Sequence, residues 1–168
     1  KGVYRLPEAQ IDRFLFKINV GYPEREGEKG IIENNKDVKT LDDYGIKKVV
    51  SKQDIINIQK LVPRIRASRE TKKYVVKLVF ATRYPKRYDI EIGKYLKWGA
   101  SPRASIYLTL AGKANALMDG RDYVTPDDIR AISHNVLRHR MILNYEGKAE
   151  GVGKDDVVNE VIEKVPVV

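Results

Sequence analysis

Arg103 poses the first chemical question in this sequence. It follows Ser101 and Pro102 in the run Gly99-Ala100-Ser101-Pro102-Arg103-Ala104-Ser105. Ser101 is a favourable N-cap, because its hydroxyl accepts a free backbone N–H of the first turn. Pro102 at the first helical position sacrifices no hydrogen bond. Arg103 then falls at the positive end of the helix dipole, where a cation is disfavoured by about 0.3–1 kcal/mol at an exposed site. Either the arginine tolerates that small penalty in water, or an anion such as phosphate sits at the helix start and reverses the sign.

Other chemistry is not supported by the residue types. No Gly-rich loop ending in Gly-Lys-Ser/Thr is present, so no phosphate cradle of that kind is expected. There is no Cys, and His134 and His139 are five apart, off a shared helix face, so no metal site is expected. The acid pairs Asp42-Asp43, Asp127-Asp128 and Asp155-Asp156 read as caps and turns. By itself this segment is expected to catalyse nothing.

The elements that position Arg103 come from the apolar periodicity. A long helix opens at Pro102 with Ile106, Leu108, Leu110, Ala111, Ala114, Leu117 and Met118 as its apolar positions, and Asp119-Gly120 stops it. Thr125-Pro126-Asp127-Asp128 starts the next helix, with Ile129, Ile132, Val136 and Leu137 inward. Ser68 starts an earlier one, whose broad face is Tyr74, Val75, Leu78, Val79 and Thr82. Ser51-Lys52-Gln53-Asp54 reads as a capping box with Asp in the place of Glu, ahead of Ile55, Ile58, Leu61 and Val62. Glu24 to Asn35 forms a further helix with Ile31 and Ile32 inward, and Asp155-Asp156 opens the last one. Residues 144–153 read as a glycine-rich loop. Phe14, Phe16, Ile18 and Val20 alternate, which predicts a short strand over 14–20 that needs sheet partners elsewhere. The fold class is mainly α: about six helices preceded by one short strand.

With 168 residues the chain can bury one substantial core. No apolar run is long enough to span a membrane, and Lys1 to Pro7 lacks the apolar stretch of a signal peptide. A start without Met reads as the interior of something longer. The absence of Cys fits a cytoplasmic location. The net charge of +9 favours an anionic partner. Lys86, Arg87, Lys94 and Lys97 alternate loosely with Tyr84, Tyr88, Tyr95 and Trp98, which is compatible with a basic helical nucleic-acid-binding module. Against it, the connection 119–125 between the helices at 103–118 and 126–140 is longer than that of a helix-turn-helix.

Four stretches taken together are similar to the MoxR family of AAA+ ATPases. They are Leu6-Pro7-Glu8-Ala9-Gln10-Ile11-Asp12-Arg13-Phe14, Gly99 to Ser105, Gly120 to Asp128, and Leu137-Arg138-His139-Arg140. The resemblance implies that residues 1–21 are the end of the AAA+ core, with the arginine-finger motif and last strand, and that 22–168 are the complete helical lid. It implies ATP and Mg2+ as ligands, held mainly by residues outside this chain. Arg13 would be the arginine finger, reaching in trans to a neighbour's ATP. Arg103 would be the sensor 2 residue, touching the γ-phosphate in its own subunit, with Ser101 and Pro102 beside it. Tyr22 and Pro23 resemble the hinge that packs near adenine. The implied protein is a hexameric ring that couples hydrolysis to remodelling or maturation of client proteins, often with a von Willebrand factor A domain partner.

Without the resemblance, Arg13 would read as an ordinary ion pair to Glu8 or Asp12. Asp12 either orients Arg13 or caps locally, His139 is a buried hydrogen-bonded histidine, and Trp98 packs in the lid. The stretch 85–98 is more basic and aromatic than the family's lid, and 36–48 is a longer insertion.

Overall fold

Caps set the helix boundaries in the computed structural model, which describes residues 6–36, 40 and 42–167. The Ser68 hydroxyl accepts from Thr71 N at 3.0 Å and starts α4 (Arg69–Arg83). The Ser101 hydroxyl accepts from Arg103 N at 3.3 Å and starts α5 (Pro102–Met118). Thr125 and Asp128 cap each other reciprocally at the start of α6 (Pro126–Leu137). The predicted Ser51–Asp54 box forms too, with Ser51 N donating to Asp54 Oδ2 at 2.7 Å, ahead of α3 (Lys52–Leu61). Among the described residues, α2 (Arg25–Asn34) and α8 (Lys154–Lys164) complete the six helices expected from the periodicity.

Two short helices were not expected: α1 (Glu8–Ile11) and α7 (Tyr145–Ala149). The second replaces part of the loop expected at 144–153. The Asn144 side chain caps it by accepting from Gly147 N at 2.8 Å. Gly147 belongs there because a Cβ would stand 2.7 Å from that of Tyr95. Two strands, β1 (Leu96–Trp98) and β2 (Ile142–Leu143), pair antiparallel.

The chain divides into two compact units, residues 18–59 and residues 1–17 with 60–168. The smaller holds α2, most of α3 and a 3-10 turn at Asp42–Tyr44. Ile31 and Ile32, expected inward, are exposed, and no described residue of α2 or α3 is buried. Part of the insertion at 36–48, namely 37–39 and 41, lies outside the described residues, as do 1–5.

The larger unit carries the core. Tyr74, Val75, Leu78 and Val79 of α4 meet Ala104, Leu108 and Ala111 of α5, Ile129, Val136 and Leu137 of α6, and Val157, Val158 and Val161 of α8. A Cβ on Gly112 would come 2.5 Å from Ile129 Cδ1, so the glycine sets the close approach of α5 to α6. The α4 face is as the periodicity predicts. That of α5 is not: Ile106, Leu110 and Met118 are exposed. This helix is apolar on more sides than the core covers, so periodicity alone could not choose its inner face.

The strand expected at 14–20 does not form. Its chain is irregular, and the carbonyls of its first residues are taken by side-chain donors in place of a ladder. Arg138 Nη1 donates to Lys17 O at 3.2 Å, and Arg140 Nη1 to Leu15 O at 3.3 Å. His139 Nε2 stands 3.0 Å from Phe14 O, and Lys17 N donates to Asn135 O at 2.9 Å. Backbone groups need partners, not a particular partner, and the 135–140 segment supplies them.

Asp128 ties α5 to α6. Its carboxylate accepts from Arg121 at 2.6 and 2.8 Å, from Asn115 at 2.9 Å, and from Thr125 N and Oγ1 at 2.7 and 2.8 Å. Burial alone would raise its pKa, but these donors outweigh it and hold the carboxyl well below the usual range. A carboxyl depressed in the fold stabilises above its unfolded pKa and loses that contribution as pH falls through the folded value. The unfolding midpoint of wild type should therefore drop steeply below about pH 4. An Asp128→Ala variant should be less stable by about 2–3 kcal/mol at neutral pH and show a flatter acid limb in thermal melts across pH.

Candidate functional site

The start of α5 is fixed to the end of α4. Ala100 N donates to Thr82 Oγ1 at 2.9 Å, and Arg83 Nε donates to Ala100 O at 2.7 Å. Gly99 lies so close to this turn that a Cβ would stand 2.3 Å from Thr82 O. Glycine, serine and proline in the Gly99–Ser105 run thus have separate tasks: close approach, capping and helix entry.

Asp12 fills the position in front of that helix. Ser101 Oγ donates to its Oδ1 and Oδ2 at 2.9 and 3.0 Å, and Arg103 Nη1 donates to Oδ2 at 2.9 Å. The anion that a cation at a helix N-terminus calls for is therefore present within the chain. Arg103 remains half exposed, while the Asp12 side chain is 16% exposed.

Behind Asp12 lies Arg140, whose side chain is 0% exposed. Its Nε stands 3.4 Å from Asp12 Oδ1 without making a hydrogen bond. Nη2 donates to Asp12 O at 3.1 Å and to Phe14 O, and Nη1 also donates to Val136 O. The guanidinium carbon lies 4.7 Å from the centre of the Tyr107 ring, and Tyr107 Oη donates to Arg13 O at 3.1 Å. His139 is buried, as expected, and burial lowers its pKa against the opposing pull of the Phe14 carbonyl. Its Nδ1 has no hydrogen-bond partner among the described residues.

Arg13 itself is exposed, and its guanidinium makes neither hydrogen bond nor ion pair among the described residues. The ion pair to Glu8 or Asp12 is absent among the described residues, and of the two roles expected for Asp12 it takes the local one, as the C-cap residue of α1, without contacting the Arg13 side chain. The structure brings Asp12, Ser101, Pro102, Arg103 and Arg140 together and fixes the backbone of Arg13 beside them. Tyr22 and Pro23 belong to the other unit, ahead of α2, where Tyr22 is exposed.

Asp12, Tyr107 and Arg140 were not singled out from the sequence as a set. The signal was there in part. Asp12 and Arg140 each sit inside a recognisable motif next to the residue that drew notice, and they carry opposite charge. Nothing in the linear pattern says that they meet across 128 positions.

The basic and aromatic stretch makes some contacts within the chain, although Lys86, Arg87, Lys94 and Lys97 stay exposed. Phe80 and Tyr84 stack at 4.6 Å, Arg87 lies 5.0 Å from the Tyr84 ring, and Lys94 lies 4.8 Å from that of Tyr95. Tyr95 Oη donates to Glu150, and Glu160 accepts from the backbone N–H of Glu91 and Ile92 at 2.8 and 3.0 Å. Trp98 remains exposed.

Residues 91–161, from the end of this stretch through α5 and α6 into α8, match the family model described as AAA lid domain. Chaperone MoxR1 of Mycobacterium tuberculosis is 40% identical over 166 residues, which is 98% of this chain and 43% of that protein. The uncharacterized protein YeaC of Bacillus subtilis is 40% identical over 172 residues, 99% of this chain and 50% of YeaC. The crystal structure of a candidate ATPase from Cytophaga hutchinsonii superimposes with a TM-score of 0.91 at 38% identity, covering 100% of this chain and 51% of that one. The chain thus spans about half the length of the relatives it matches.

Proposed function

We propose, for a chain that belongs to the MoxR family of AAA+ proteins, that it is the lid and phosphate-facing segment of an ATP-hydrolysing machine. Residues 1–21 would end the nucleotide-binding core and 22–168 would form the lid. Arg13 acts as an arginine finger on ATP held by a neighbouring subunit, and Arg103 is the sensor 2 residue for the γ-phosphate in its own subunit, flanked by Ser101 and Pro102. Tyr22 and Pro23 form the hinge near adenine. Mg2+ accompanies the phosphates and spreads their charge; it is held mainly by residues outside this segment. The assembled protein is a cytoplasmic hexameric ring that remodels or matures a client carrying a von Willebrand factor A domain.

One observation carries this reading: Arg13, next to the Asp12 that pairs with Arg103, has a guanidinium with no partner among the described residues, on a backbone held by Tyr107 Oη at 3.1 Å. Phosphoryl transfer needs positive charge fixed at the γ-phosphate, and a guanidinium fork matches phosphate bidentately. For Arg103 to reach the phosphate of its own subunit, its ion pair with Asp12 has to open. A γ-phosphate carries more charge than one carboxylate and competes for the same donor. ATP, and not ADP, would then pull the lid helix from its resting partner, which is how nucleotide state becomes domain motion.

The test is Arg103→Ala in the full-length protein. ATP affinity should fall about tenfold with ADP affinity nearly unchanged, read by direct titration of each nucleotide. Equal losses for the two, or none, would contradict the assignment. The nucleic-acid reading is the weaker one, because the matching family model and relatives are a lid domain, a chaperone and a candidate ATPase.

A further inference from the structure

The apolar positions of α5 that the core leaves uncovered gather in one trough. Ile106 is 63% exposed and Val76 of α4 is 52% exposed. With Val75, Thr109 and Leu110 they wall a cavity of about 480 Å³ between α4 and α5. Lys72, Lys113 and Pro63 line this cavity and also a second one of about 680 Å³, so the two adjoin. Arg64, Arg66 and Tyr123 line the second part. Four cations therefore edge the trough, and no carboxylate is among the described residues that line it. Arg66 is held by Asp122 at 2.9 Å, and Lys113 donates to Pro63 O at 2.9 Å. Arg64 and Lys72 make no ion pair among the described residues.

We propose that this trough is a docking groove for an acidic amphipathic helix of a partner protein. A groove between two helices accepts the apolar stripe of a third, with anchors at i, i+3, i+4 and i+7. The cationic edge, with Lys72 on α4 and Lys113 on α5, selects acidic flanks. A nucleic acid would use the cations but has no use for the Ile106, Val76 and Leu110 walls. The proposal is independent of the ATPase reading, because no residue of the trough belongs to the Asp12–Arg103 site.

The test is a titration of the full-length protein with a fluorescein-labelled helical peptide, Leu at the four anchor positions and Glu elsewhere, at low salt. Saturable binding is expected, weakened about tenfold or more by Ile106→Glu and by Lys72→Glu, and unchanged by Lys148→Glu outside the trough. A scrambled peptide of the same composition should not compete. Equal binding of the scrambled peptide, or indifference to Ile106→Glu, overturns the proposal. So does an oligo-dT that binds through Lys72 without regard to Ile106, which assigns the trough to nucleic acid. No binding at all overturns it as well.

Discussion

Replacing Arg13 by Ala in the full-length protein is expected to cut ATP turnover by about a thousandfold or more, the range of an arginine finger. ATP and ADP affinity should stay within about threefold, because a group supplied to a neighbour's nucleotide adds its charge mainly in the transition state. Thermal stability should not change. Arg13 is exposed, and its side chain holds nothing within the described residues. The backbone beneath it is held independently, with Tyr107 Oη on Arg13 O at 3.1 Å and Arg140 Nη2 on Asp12 O at 3.1 Å. A long charged side chain with no contact among the described residues, on a backbone fixed from both sides, can reach outward without loss of stability. Steady-state hydrolysis, nucleotide titration and a melt on the same preparation separate these effects. A lowered melting temperature would mark Arg13 as structural.

Asp12→Ala is expected to cost about 3–5 kcal/mol of stability, measured by denaturant unfolding against wild type. The magnitude comes from Arg140, not from Arg103. Arg140 has a side chain 0% exposed, and Asp12 is the carboxylate facing it; deleting that carboxylate leaves a buried charge with only carbonyl dipoles and the Tyr107 ring to compensate it among the described residues. Arg103 is half exposed, and losing its partner there is worth at most about 1 kcal/mol. The two contributions separate in double-mutant cycles. Asp12 and Arg140 should couple strongly, whereas Asp12 and Arg103 should be nearly additive in stability but coupled in ATP affinity.

The helices were legible because their starts are chemically marked. Ser51, Ser68, Ser101 and Thr125 each cap as their sequence context predicts, and Pro102 and Pro126 fill the first helical position. The inner face of α4 was legible because Tyr74, Val75, Leu78 and Val79 recur at helical spacing while Lys72 and Lys73 mark the other side, where Val76 and Phe80 are nevertheless exposed. That of α5 was not, since Ile106 and Leu110 satisfy a helical pattern as well as Leu108 and Ala111 do, and only packing against Ile129 and Val136 decides between them. The alternation at 14–20 was real, yet alternation cannot supply a neighbouring strand; Arg138, His139 and Arg140 took the carbonyls that a ladder would have used. At the site, the dipole argument called for an anion beside Arg103 and left open which. The chain itself supplies one in Asp12, so the local anomaly no longer argues for phosphate, and the case for phosphate rests on the similarity to MoxR proteins and on the Arg13 guanidinium, which has no partner among the described residues.

Subunit mixing tests the central claim most directly. Full-length Arg13→Ala subunits, which keep their own nucleotide site, are combined with subunits that keep Arg13 but carry a disabled nucleotide site. Each preparation alone should be nearly inactive. If Arg13 serves a neighbour's ATP, the mixture regains turnover at interfaces where an intact site faces an intact Arg13. A mixture no more active than the sum of its two components would contradict that account.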